Sequence, residues 1–227
     1  MTVQDWLLDS DPALRWQVLR DLTEALPEAV AAERARVATE GWGARLLALR
    51  GDDGQWAGGA CFPADFRGDL AQGQPWTATF PTLALLRDLG VDPNAQPVRE
   101  TVALVAANCR WEHAGQRFFD GEVEPCINGR TVAIGAYFGV DVDDIVTRLL
   151  GEQLADGGWN CETEYGSVRS SFATTICVLE GLLEHERATG GSATAVAARR
   201  RGEESLLDRR LFRRLSTGAV VEEEWLR

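Results

Sequence analysis

The sequence predicts an all-α fold of alternating inner and outer helices, and three observations carry that reading. A segment repeats: Leu89-Gly90-Val91-Asp92 answers Phe138-Gly139-Val140-Asp141 at a spacing of 49. Two kinds of apolar helical run alternate around these segments. Loops holding glycine and tryptophan join one pair of runs to the next. A repeat of this length points to stacked helical units, each needing its neighbours to bury a face.

In chain order, the first helices are read from PALRWQVLRDLTEA and PEAVAAERARVATEGWGARLLALR. Ser10 and Asp11 stand where a cap belongs, and Pro12 suits the first helical position. The first repeat unit then pairs WTATFPTLALL with PVRETVALVAANC, and the second pairs RTVAIGAYF with DDIVTRLLGEQL. The second run of each pair is striped: Val98, Val102, Val105 and Cys109 share a face, as do Ile145, Leu149, Leu150 and Leu154. The first run is apolar nearly all round, which suits a helix covered by protein. A third inner helix is read from SSFATTICVLEGLLEHE and a charged outer one from ATAVAARRRGEESLLDRRLFRR. The linking loops are RGDDGQWAGG, CRWEHAGQ and QLADGGWNCE. In each, glycine supplies the turn and tryptophan an apolar plate over a helix end.

Composition bounds the function. With 227 residues, 45% hydrophobic and 26% charged, the chain suffices for one globular domain over 1–227, with the repeat in about 40–215. No stretch approaches the roughly 18 apolar residues of a membrane span. The opening MTVQDWLLDSDPALRW carries acids where an export signal would be basic, so a cytoplasmic location is expected. A net charge of -12 argues against a nucleic-acid surface. The arginines at 199–201, 209–210 and 213–214 alternate with Glu203, Glu204 and Asp208, which reads as a solvated helix face. Five cysteines without CxxC spacing do not suggest a disulfide framework.

The loop from Gln153 through Gly157 to Trp159 resembles the Q-x3-G-x-W core of the QW repeat of squalene-hopene and oxidosqualene cyclases. Gly54-Gln55-Trp56 keeps G-x-W but has Arg50 where the glutamine would stand, and Trp111 keeps only the aromatic. Protein prenyltransferase β subunits carry similar D-G-G-[FW] loops. The resemblance spans roughly 40–190. It implies a partial α/α-toroid, because those families close inner and outer helices around an apolar cavity. The eight or nine helices read here fall short of a full ring, and the chain stops at Arg227 where the repeat predicts another inner helix. The expectation is a truncated chain or a ring closed by a homo-oligomer.

Four sets of residues carry candidate chemistry. Asp141-Val142-Asp143-Asp144 is similar to the D-x-D-D acid of the cyclases, but Asp141 repeats Asp92 and opens an outer helix, so a capping role is preferred. Glu124-Pro125-Cys126 resembles the D-x-C element of the prenyltransferase zinc site. The histidine such a site needs is missing, since Ala173 and Thr174 stand there and the only histidines are His113 and His185. Cys126 is therefore read as structural, His185 as part of an exposed helix end, and neither metal nor cofactor is assigned.

The acidic loop from Phe118 to Glu124 offers Asp120 and Glu124 as catalytic acids, or else serves as a polar connector that caps the next helix. Trp76, Phe80, Phe119, Tyr137 and Phe172 are candidates for holding an apolar substrate, while Trp56 and Trp159 are read as clasps. The leading expectation is an isoprenoid-type ligand in a central cavity, as the terpenoid cyclase and prenyltransferase resemblance implies. A noncatalytic scaffold and a carbohydrate-active α/α-barrel remain open beside it.

Overall fold

Local signals decide where the helices begin. In the computed structural model, which describes residues 2–68 and 74–223, Thr2 and Asp5 cap α1 (Val3–Leu8) reciprocally through bonds of 3.1 and 2.7 Å. Asp11 accepts the Ala13 N–H at 3.0 Å, and Pro12 opens α2 (Pro12–Leu22) as the sequence suggests. The run after Pro27 does not continue as a single helix. It divides into α3 (Pro27–Ala35), a 3₁₀ turn (Arg36–Ala38) and α4 (Gly41–Ala48). The second carboxylate oxygen of Asp11 takes the Trp42 N–H at 2.8 Å, so one side chain serves the starts of two helices.

The remaining helices are α5 (Thr79–Asp88), α6 (Gln96–Asn108), α7 (Pro125–Phe138), α8 (Asp143–Gly151), α9 (Phe172–Thr189) and α10 (Ala193–Asp208). The fold is all-α, with no strand among the described residues beyond isolated bridges. None of the described helices is long and apolar enough to cross a membrane. The chain divides into two compact units, Met1–Phe118 and Phe119–Arg227.

Both units use the same clasp. In the first, the Trp56 indole N–H donates to Leu46 O at 2.7 Å, and the Trp56 backbone N–H donates to Thr79 Oγ1 at 3.2 Å. In the second, Trp159 does the same toward Leu149 O at 2.7 Å and Thr175 Oγ1 at 3.0 Å. Each indole thus gives a second donor to a carbonyl in the last turn of α4 or α8, beside the C-cap N–H of Leu49 at 3.1 Å or of Glu152 at 3.3 Å. A Cβ at Gly157, whose φ is +92°, would stand 2.7 Å from Arg201 O. Gln153 secures the same loop by donating to Gly157 O and to Ala198 O, both at 2.8 Å. The third loop differs. Trp111 bonds Phe118 O at 2.9 Å and stacks on the Phe118 ring, with centroids 4.8 Å apart, so it closes its own loop rather than a helix end.

The repeat at Asp92 and Asp141 also has one geometry. Asp92 accepts the Asn94 N–H at 2.9 Å and Asp141 the Asp143 N–H at 3.0 Å, each just ahead of the next helix. Asp141 is exposed and its carboxylate closes the turn just ahead of α8, whose N-cap residue, Val142, makes no side-chain capping bond.

In the second unit α7 is buried over most of its circumference, whereas α8 buries Ile145, Val146 and Leu149 along one side. α7 packs closely on α9 because glycines meet at the crossing. A Cβ on Gly181 would stand 2.1 Å from Gly129 O, and one on Gly129 would stand 2.5 Å from Cys177 O. This contact fixes the start of α7 relative to the start of α9.

Two placements correct the sequence reading. Trp76 is not on an inner helix: it precedes α5 in a left-handed conformation, φ +52°, which no helix accommodates, and it is exposed. His185 is not on an exposed end. α9 runs on to Thr189, and His185 is buried with Nε2 2.8 Å from Asp143 Oδ1 at the start of α8.

Candidate metal centre

The acidic loop before α7 is held by backbone contacts. Asn128, fully buried, accepts the Glu122 N–H at 2.7 Å and donates to Glu122 O at 2.8 Å. Arg148 of α8 donates to Glu122 O at 2.7 Å and Val123 O at 2.8 Å. The Glu122 carboxylate in turn accepts the Glu124 N–H at 2.7 Å. These bonds leave little freedom to Glu124, which occupies the N-cap position of α7.

The Glu124 side chain does not cap that helix. Its Oε2 instead accepts from the Cys126 thiol at 3.3 Å. The connector reading of this loop therefore describes its backbone but not its carboxylate.

Cys161 arrives from the other side, two positions beyond the anchored Trp159. It begins the 3₁₀ turn Cys161–Tyr165, which Asn160 caps by accepting the Glu162 N–H at 3.0 Å. Asn160 Nδ2 donates to Ser167 Oγ at 2.9 Å and to Arg169 O at 2.7 Å, closing the turn. Thr174, in the first turn of α9, places Oγ1 3.4 Å from Cys161 Sγ. The ligand atoms of Glu124, Cys126 and Cys161 all lie within 4.8 Å of one another.

The thiols in this cluster do not behave alike. Donation from Cys126, helped by Thr174 and opposed by burial, brings the Cys161 thiol down to about 7. The same interaction with Cys161, reinforced by burial and by the Glu124 carboxylate, pushes the Cys126 thiol up. Burial raises Cys109 to about 12 and raises Cys177 as well. Cys161 is thus set apart from these three by the direction of its shift.

The donor set fits a soft divalent cation. Zn–S bonds of about 2.3 Å put two thiolates about 3.8 Å apart in a tetrahedron, and a carboxylate completes a common N/O/S set. Cys126 and Cys161 are half-buried and Glu124 is exposed, so the cluster is open to solvent on one side. Three protein donors with one open position is the pattern of catalytic rather than structural zinc.

The other predicted site residues fall as follows. Asp120 ends the 3₁₀ turn Phe118–Asp120 and is exposed. Phe80 is buried in the first unit against Trp111, with ring centroids 5.6 Å apart. In the second unit Phe119 is buried, Tyr137 is half-buried with its ring edge-on to Phe138, and Phe172 is half-buried beneath the Arg209 guanidinium. Of the two predicted acids, Glu124 alone belongs to the cluster. Cys161, Thr174 and Asn128 were not singled out from the sequence, and only the position of Cys161 just after a clasp tryptophan hinted at a constrained location.

A smaller cavity of 360 Å³ in the first unit is bordered by Phe62, Phe66, Arg67, Arg110 and Glu112. The Glu112 carboxylate there accepts the backbone N–H groups of Cys61 and Phe62 at 2.9 and 3.1 Å, which is a structural clamp. Compared with protein-family profiles, curated proteins and solved structures, the chain matches none.

Proposed function

We propose that the second unit is a zinc-binding module whose Glu124, Cys126 and Cys161 hold the ion and leave one position for a soft donor, such as the thiol of a substrate. The observation that carries this reading is the convergence of two thiols and a carboxylate that is free of capping duty. Zinc bound there would keep its sulfur ligands as thiolates and would favour ionisation of an incoming thiol.

The residues of the chain contribute in separate ways. Cys161, whose thiol the Cys126 interaction lowers, gives up its proton first, and the Cys126 proton must also leave for both sulfurs to act as ligands. Cys126 has a single thiol proton for which Glu124 and Cys161 compete in the free protein, and Glu124 becomes the oxygen ligand once that proton has left. Thr174 steadies Cys161, and Asn128 and Arg148 hold the backbone that carries Glu124.

This reading keeps the prenyltransferase-like D-x-C element but replaces its histidine with a cysteine from the preceding loop. A partial α/α-toroid of inner and outer helices is part of the same proposal, supported by the duplicated tryptophan clasp. An isoprenoid-type group as the apolar partner of the thiol follows from the resemblance.

Zinc content of the purified full chain tests the site. One equivalent is expected, with Cys126→Ala and Cys161→Ala each losing it and Cys177→Ala keeping it. Absence of zinc after equilibration, or retention in the Cys126→Ala/Cys161→Ala double variant, overturns the proposal.

A further inference from the structure

Two of the five cysteines, none of them bridged, meet in the second unit. Cys126 lies in the first turn of α7, just ahead of Gly129, which α9 holds in close contact. Cys161 lies two positions beyond Trp159, which is fully buried and bonded to Leu149 O and Thr175 Oγ1. The two sulfurs lie within 4.8 Å of one another, and a disulfide sets them about 2.05 Å apart. The elements that carry them are already held side by side. Closing the gap therefore asks for rotation of two half-buried side chains rather than a new fold.

The remaining cysteines are placed differently. Cys109 is fully buried and, like Cys61, belongs to the first unit. Cys177 is on α9, and its sulfur is not among the three donors that converge. Glu124 distinguishes the two sulfurs that do meet. Its carboxylate stands 3.3 Å from Cys126, where it is at hand as a base for the thiol proton, whereas Cys161 touches the neutral Thr174 hydroxyl at 3.4 Å.

We propose that Cys126 and Cys161 are a site of reversible oxidation, joined as a disulfide by hydrogen peroxide. Cys161 attacks the peroxide as a thiolate: an S–O bond forms, the O–O bond breaks, and the departing hydroxide takes up the former thiol proton to leave as water. Cys126 then attacks the sulfenic sulfur of Cys161. The S–S bond forms, the S–O bond breaks, and the Cys126 proton passes by way of Glu124 to the departing hydroxide. Two thiols and one hydrogen peroxide thus become one disulfide and two water molecules.

The bridge and the metal exclude each other, a consequence that rests on the zinc reading of the cluster. Zinc needs both sulfurs as thiolates, and a disulfide leaves Glu124 alone of the three donors. Bound zinc protects the pair from peroxide, and oxidation discharges the metal. The bridge itself needs no zinc, since its reactants are the two sulfurs and the oxidant.

Dilute hydrogen peroxide added to the full chain, first stripped of metal by a chelator, tests the bridge by itself. Trypsin should then yield residues 118–130 joined to 149–169, lighter by two hydrogens than the two peptides together, and dithiothreitol should part them. Cys177, in residues 170–187, should stay outside the bridge, and Cys177→Ala should form it unchanged. In Cys126→Ala, with circular dichroism showing the fold intact, dimedone should label Cys161 as its sulfenic acid. Thiols left unchanged by peroxide, direct passage to sulfinic acid, or a bridge to Cys177 would overturn the assignment. Zinc-loaded chain should release its metal to a chromogenic chelator as the bridge forms, and a bridged chain that keeps its zinc would overturn the exclusion. A bridge in a chain that never binds zinc would sink the zinc reading alone. Zinc binding with no bridge in the stripped chain would sink this inference alone.

Discussion

Glu124 Oε2 lies 3.3 Å from Cys126 Sγ, although Glu124 is the N-cap residue of α7 and its carboxylate would ordinarily turn to the helix N–H groups. The carboxylate faces a thiol instead, and with Cys161 it forms a three-donor cluster.

The Cys126–Cys161 pair predicts an unusual pH profile for alkylation. Cys161 in metal-free protein should be carbamidomethylated with an inflection near pH 7, the rate falling as the pH drops through that value because the thiolate is lost. Removing the donor in Cys126→Ala should move the inflection up toward the ordinary value of about 8.5. At pH 7 the rate should fall about threefold, since the smaller thiolate fraction is partly offset by greater nucleophilicity. Mass-spectrometric mapping of Cys161 over a pH series measures both. A faster reaction in the variant would contradict the shared-proton arrangement.

The α7–α9 crossing should not tolerate a methyl group. In Gly181→Ala the new Cβ would meet Gly129 O, a backbone atom that cannot move without shifting α7. A loss of about 1–3 kcal/mol, or more, is expected from overpacking. Because that shift also displaces Cys126, zinc affinity should fall together with stability, whereas Gly151→Ala, at the end of α8 with open space around it and no left-handed φ, should spare the metal. Denaturant unfolding and competitive zinc titration of the two variants check the pairing.

Much of this scaffold was readable in the sequence. The striped runs and the Gly–Trp loops marked the helix pairs because burial of one helix face leaves a periodic trace. The clasp was readable for Trp56 and Trp159, each followed downstream by a threonine that the fold brings back to it. The division of the run after Pro27 into α3 and α4 was not readable, because Asp11 causes part of it from another helix. The cluster was half visible. Glu124 and Cys126 are adjacent on the chain, but Cys161 meets them only through the α7–α9 crossing, and no local pattern encodes a tertiary contact of that kind.

Trp159→Phe tests the clasp without opening a large cavity. It keeps most of the buried ring and removes the indole donor to Leu149 O, which is left with the longer 3.3 Å bond from the Glu152 N–H. The expected cost is about 0.5–1.5 kcal/mol, or a melting temperature lower by roughly 2–4 °C per kcal/mol. Trp56→Phe should cost a similar amount, since its bond to Leu46 O has the same length. A neutral result for both would show that the indole bonds contribute nothing.

Asp141 separates capping from acid chemistry. Asp141→Asn preserves the acceptor for the Asp143 N–H and should leave thermal stability unchanged. Asp141→Ala removes the acceptor and should cost about 0.5–1.5 kcal/mol, the net worth of one hydrogen bond. Equal losses in both variants would mean that the charge, rather than the turn, is what the position requires.

Cobalt(II) substitution tests the metal centre most directly, because thiolate ligands produce a near-ultraviolet charge-transfer absorption that carboxylates and solvent do not. The full chain should take up one equivalent of cobalt(II) with that absorption. Cys126→Ala and Cys161→Ala should each reduce it by about half per bound metal or abolish uptake, and the double variant should lack it. An absence of the band in the wild-type protein, or an undiminished band in the double variant, would contradict a zinc-thiolate centre at Glu124, Cys126 and Cys161.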